Sequence, residues 1–226
     1  LLEAQGHRVV APDLVGMGPS YAAISSASLA TWADQIATVI RQQEEPVILV
    51  GHSRGGIVIS EAAERVPQRI TTLVYLTAFL VESGDTLLGA SAKVIRQQTP
   101  DILVTQDDGT TIVRRDAIGP VFYNTTDPTW VERAENFVTP EPMNVFMTPL
   151  GLTEENYGAV KRAYIECAQD NALPLELQRL MQAALPCAPV FTLDADHSPF
   201  YSAPDQLVDY LHLISRIHAY HISQSH

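Results

Sequence analysis

The sequence predicts an α/β domain: a mostly parallel sheet with helices on its faces. Apolar runs of strand length alternate with segments whose apolar residues recur at helical spacing. The chain has 226 residues, 46% of them hydrophobic, enough for one sizeable core. A third sign is the stretch VILVGHSRGGIVISEA, residues 47–62, where a Gly-rich junction joins an apolar run to an amphipathic one.

LLEAQG reads as the last turn of a helix stopped at Gly6. HRVVAPDL, residues 7–14, is β-branched and runs into the turn-rich VGMGPS, so a short strand is expected there. SLATWADQIATVIRQQ places Leu29, Trp32, Ile36, Val39 and Ile40 on one helical face. After Pro46, PVILVGH is a continuous apolar run, as in a central parallel strand covered on both faces. GIVISEAAERV continues as a helix stopping before Pro67, and ITTLVYLTAFL is the third buried strand. This order implies right-handed crossovers.

From about residue 80 to 160 the rhythm breaks. Asp108-Gly109 between ILVTQ and TTIVRR reads as a small hairpin. FYNTTDPTWVERAENF and the Pro-rich TPEPMNVFMTPLG then show no sheet pattern. The expectation is a single domain over residues 1–226, with residues 80–160 an excursion above the sheet. Sheet rhythm resumes with RAYIEC, a helix from about Leu175 to Leu185, the strand PVFTLD and a last helix from about Pro204, with Ser202 as its cap.

Lys and Arg number 14 against 26 Asp and Glu, for a net charge of −12. Such a chain is repelled by nucleic acid and by anionic membranes, so neither is expected as a partner. No apolar run reaches the ~20 residues of a membrane span. Cys167 and Cys187 are too few for a disulfide framework, so free thiols in a reducing, cytoplasmic compartment are expected. Oligomeric state is left open.

Gly51, Ser53 and Gly55 form Gly-x-Ser-x-Gly between a strand and a helix, the setting of a nucleophile elbow. A tight turn there strains the serine backbone, and the flanking glycines allow close backbone approach. The hydroxyl then projects above the carboxyl edge of the sheet, and the Arg54 amide can face a developing oxyanion. Neither a phosphate loop nor a Walker lysine is present.

A serine nucleophile needs a base. His52 is expected to point away from Ser53 and to pack as a structural residue, as is His7. His212, His218, His221 and His226 belong to the last helix and tail; without matching carboxylates no metal site is expected there. His197, in the loop DADHSPF after PVFTLD, lies at the same sheet edge as Ser53. Asp194 and Asp196 are its neighbours, but residues at one strand end rarely aim at one another's ring nitrogen, so both are expected as solvated loop carboxylates. Asp170 follows the preceding strand and suits the orienting role. The chain order is then Ser53, Asp170, His197.

GHSRGG, FMTPLGLTEENYGAVKRAYIECAQDNALP and DADHSPFYSAPDQL resemble the α/β-hydrolase fold superfamily, and within it bacterial relatives of plant methylesterases and hydroxynitrile lyases. The resemblance runs nearly the whole chain. It implies Ser53 as nucleophile, His197 as general base and acid, Asp170 as orienting acid, and a cap formed by residues 80–160. Phe122, Tyr123, Trp130, Phe146 and Met147 are candidates to line its pocket. The family usually begins with a strand and a His-Gly loop that supplies a second oxyanion amide, whereas this sequence starts after that point. The lyases it resembles place a lysine directly after the catalytic histidine; here that position is Ser198.

The expected activity is hydrolysis of a small, fairly apolar carboxyl ester, with no metal or organic cofactor. The alternatives are a cyanohydrin lyase on the same scaffold, and a receptor-like binding protein with a slow triad.

Overall fold

In a computed structural model of the chain, the described residues are 1–18, 24–93 and 102–223, with side chains to 217. The side chains of His218 and His221, and all of His226, lie outside them.

Helix α1, Leu29–Arg41, starts where Ser28 Oγ accepts a hydrogen bond from the Thr31 amide at 3.0 Å. Its buried face carries Leu29, Trp32, Ala33, Ala37 and Ile40. Strand β1, Val47–Ser53, leads into α2, Gly55–Arg65, and then β2, Ile70–Ala78. The excursion follows: α3 (Leu87–Ser91), β3 (Leu103–Thr105), β4 (Thr110–Val113), α4 (Arg115–Phe122), α5 (Pro128–Phe137), β5 (Glu141–Pro142) and α6 (Met143–Met147). The fold closes with β6 (Arg162–Cys167), α7 (Leu175–Ala184), β7 (Val190–Leu193), α8 (Pro199–Ser202) and α9 (Pro204–Ser223).

The main sheet has the order β1-β2-β6-β7, with every pairing parallel. On one face, Val74, Leu76, Ala163, Ile165 and Leu193 pack with Leu207 and Ile214 of α9. A larger cluster joins Leu73, Tyr75 and Tyr164 to α1, α2 and the excursion. Among the described residues no helix is long and apolar enough to cross a membrane.

Several expectations change. Residues 7–14 form no strand, and Val9 and Val10 are exposed. Pairing makes a strand, not β-branched composition, and no ladder reaches this segment among the described residues. For the same reason β1 is an edge of the described sheet, and Val50 is 42% exposed. The Asp108-Gly109 hairpin joins β3 to β4, with Gly109 at φ 80°. The Pro-rich stretch adds a third short strand, β5, against β4. Ser202 does not cap the last helix; its hydroxyl donates to Asp196.

The glycines around Ser53 divide their work differently from the sequence motif. A Cβ on Gly51 would lie 2.7 Å from the Gly55 carbonyl oxygen, and one on Gly56 only 2.1 Å from the Phe79 oxygen. A Cβ on Gly55 would meet nothing. Close packing of α2 thus rests on Gly51 where it meets β1 and on Gly56 where it meets the residue after β2. In urea denaturation, Gly56→Ala is expected to lose at least about 1–3 kcal/mol of stability. Gly55→Ala is expected to stay within about 1 kcal/mol of the wild type.

Candidate active site

Ser53 ends β1 in the left-handed region, at φ 55°, a conformation non-glycine residues rarely hold. Its carbonyl accepts a hydrogen bond from the Phe79 amide at 3.0 Å. Arg54 is the N-cap of α2, so its amide belongs to the first turn, whose N–H groups have no intrahelical acceptors.

The loops after β6 and β7 are drawn together by pairing that outlasts the strands. Ala168 donates to the Leu193 carbonyl at 2.9 Å, and Gln169 to that of Ala195 at 3.0 Å. Gln178 of α7, fully buried, braces the first loop by donating to the carbonyls of Cys167 and Leu173 and accepting from the Cys167 amide. Asp170 and His197 meet in consequence: His197 Nδ1 donates to Asp170 Oδ2 at 2.6 Å. Asp170 Oδ1 accepts from the amides of Ala172 and Leu173, both at 2.8 Å, and Oδ2 also accepts from Thr77 Oγ1. With the proton on Nδ1, Nε2 of His197 carries the lone pair; it is buried and has no hydrogen-bond partner among the described residues.

Ser53 and His197 line one cavity of about 650 Å³. Its walls are mostly apolar, with Leu87, Ile118, Phe122, Tyr123, Phe146 and Phe200 among them. Arg54 and Glu141 form an ion pair on this wall, joining the elbow to β5, and the guanidinium sits 4.7 Å from the Trp32 ring centre. Trp130 and Met147 do not line the cavity. Trp130 stacks on Tyr201 at 4.7 Å, bracing α5 against α8. Met147 is 60% exposed, because one step along a helix turns the side chain ~100° from Phe146.

His52 donates from Nε2 to the His197 carbonyl at 2.6 Å. Burial, and then the neighbouring His197, push its pKa down to about 3, so it stays neutral. His7 Nε2 pairs with His212 Nδ1 at 2.9 Å. Asp194 is exposed, as expected, but Asp196 is fully buried. It accepts from the Thr125 amide, Thr126 Oγ1, the Ser198 amide and Ser202 Oγ at 2.8–3.0 Å. That carboxylate staples the excursion to the His197 loop. Asp196 and Thr77 escaped the reading of the sequence, since nothing local marks either as buried or as a partner across the sheet.

A profile described as the alpha/beta hydrolase family matches residues 1–210. The chain belongs to the alpha/beta hydrolase family. This hydrolase is 32% identical to a pyrethroid hydrolase of Sphingobium wenxiniae, over 92% of the chain and 78% of that protein. It is also 32% identical to the chloroplastic methylesterase 11 of Arabidopsis thaliana over 96% of the chain, which spans only 59% of that relative's length. Among solved structures, a pyrethroid hydrolase from Sphingobium faniae superposes with a TM-score of 0.80 at 31% identity, covering 93% of this chain and 87% of that one. Polyneuridine aldehyde esterase shares the fold at a TM-score of 0.81 and 23% identity, covering 94% and 90%.

Asp196 carries a dependence on pH whose sign can be worked out. Burial alone would raise its carboxyl pKa, but the four hydrogen bonds outweigh burial and hold it below the usual range. A depressed folded-state pKa contributes stability above the unfolded value of about 3.9, lost as pH falls through the folded value. Asp196→Asn is therefore expected to melt below the wild type at neutral pH, with the gap narrowing below about pH 4. Thermal melts across that range measure it.

Proposed function

We propose that the protein is a serine carboxyl-ester hydrolase acting on a small-molecule ester with an apolar body. His197 Nε2 takes the proton from Ser53 as the hydroxyl attacks the carbonyl carbon. The negative charge that develops on the carbonyl oxygen faces the Arg54 amide. Asp170 holds the imidazole in the tautomer that leaves Nε2 free, and stabilises the imidazolium once formed. His197 then protonates the leaving alcohol, and water, activated by the same ring, releases the acid from the acyl-enzyme.

One arrangement carries this reading. An imidazole held through Nδ1 by a buried carboxylate keeps Nε2 unpartnered and lines the same cavity as a serine at φ 55°. The names of the relatives, methylesterases and pyrethroid hydrolases, support carboxyl esters as the substrate class. The apolar walls support an apolar substrate body, and the volume falls within the ~300–1,000 Å³ of small-molecule sites. Residues of about 80–160 act as a cap that supplies much of that wall. Ser198, buried beside His197, offers no cation to a departing cyanide.

Ser53→Ala is expected to cut p-nitrophenyl ester turnover by at least about 1,000-fold and to abolish fluorophosphonate labelling, with the circular dichroism unchanged. Undiminished turnover would overturn the assignment. Cyanide release from mandelonitrile with negligible ester turnover would replace it with lyase chemistry.

A further inference from the structure

We infer that Thr77 is a positioning residue for this reaction, acting through Asp170. The inference rests on the hydrolase reading above. Thr77 is completely buried near the end of β2 and does not line the cavity. Its backbone sits at φ 36°, and with Ser53 it is one of the two non-glycine residues at positive φ among those described. A β-branched residue in that region is strained, so the surrounding structure must hold it there.

Three consecutive residues show what the strain accomplishes. The ladder pairs His52 with Leu76 but Ser53 with Ala78, leaving Thr77 as the extra residue of a bulge. Phe79 donates to the Ser53 carbonyl. Ala78 is held at both backbone groups by Tyr164: its amide donates to the hydroxyl at 3.1 Å, and the hydroxyl donates to its carbonyl at 2.8 Å. Thr77, between those anchors and the ladder, donates from Oγ1 to Asp170 Oδ2, the oxygen that also receives His197 Nδ1–H. The bulge thus sets Ser53 from one side and the acid that orients its base from the other.

A hydroxyl aimed at Oδ2 restricts where that oxygen can lie, and so the angle at which the imidazole meets Ser53. That contribution belongs to the chemical step and not to substrate binding, because Thr77 does not line the cavity and its hydroxyl is turned to Asp170. Thr77→Val preserves the branched shape and removes the donor; Thr77→Ser keeps the donor.

The test measures kcat and KM on a p-nitrophenyl ester for Thr77→Val, Thr77→Ser, Thr77→Ala and Ser53→Ala. Thr77→Val is expected to lose about 10-fold in kcat with KM unchanged, the size of one hydrogen bond to a charged group. Thr77→Ser is expected to recover most of that loss. If the valine variant does not fold, Thr77→Ala, which sheds the β-branch with the hydroxyl, is read in its place. Wild-type kcat in the variants lacking the hydroxyl, or equal losses in the serine and valine variants, overturns the role of Thr77 alone when Ser53→Ala is inactive. Wild-type turnover in Ser53→Ala overturns the hydrolase reading and this inference with it.

Discussion

The ends of β1 and β2 do not run out together. One residue of β2, Thr77, is left out of the ladder, and there and at Ser53 on the neighbouring strand a non-glycine backbone is held at positive φ. Each such residue costs on the order of 1–3 kcal/mol, which neighbouring contacts must offset. Gly51 lets β1 lie against the start of α2, Gly56 lets α2 lie against the Phe79 backbone, Phe79 holds the Ser53 carbonyl, and Tyr164 holds Ala78. The sheet edge that carries Ser53 stands on this junction, and the residue it leaves out of the ladder, Thr77, is a hydrogen-bond donor to Asp170.

Two buried carboxylates, Asp170 and Asp196, do separate jobs around the loop that carries His197. Asp170 is filled by two amides, a hydroxyl and an imidazole, and so fixes one ring orientation. Asp196 never touches the imidazole. It gathers donors from the excursion, from Ser198 and from α8, so the loop carrying His197 and the cavity roof are anchored on one group. Buried polar atoms are ordinarily partnered, which makes Nε2 of His197, with no partner among the described residues, stand out.

Much of the site was legible because each part depends on local order. A strand–turn–helix junction around Ser53, and acidic and imidazole residues each just past a later strand, follow from short-range pattern and from the geometry of parallel crossovers. What escaped depends on long-range contact. Thr77 lies in one strand-like run, ITTLVYLTAFL, with nothing to mark the residue where pairing slips. Asp196 looks like a loop acid until the excursion folds Thr125 and Thr126 onto it. Residues 7–14 have strand composition and no ladder, since composition does not supply a neighbour.

The sequence by itself determined the alternation of strands and helices, the tight turn at Ser53, and the order in which Asp170 and His197 follow it. Each is written in periodicity and spacing over a few residues. Only the tertiary structure decided which glycines are obligatory, which aromatics face the cavity, and which acid serves the imidazole and which the cap. Those depend on contacts between residues far apart in the chain, 93 positions in the case of Thr77 and Asp170, and on side-chain directions that one step along a helix turns by ~100°.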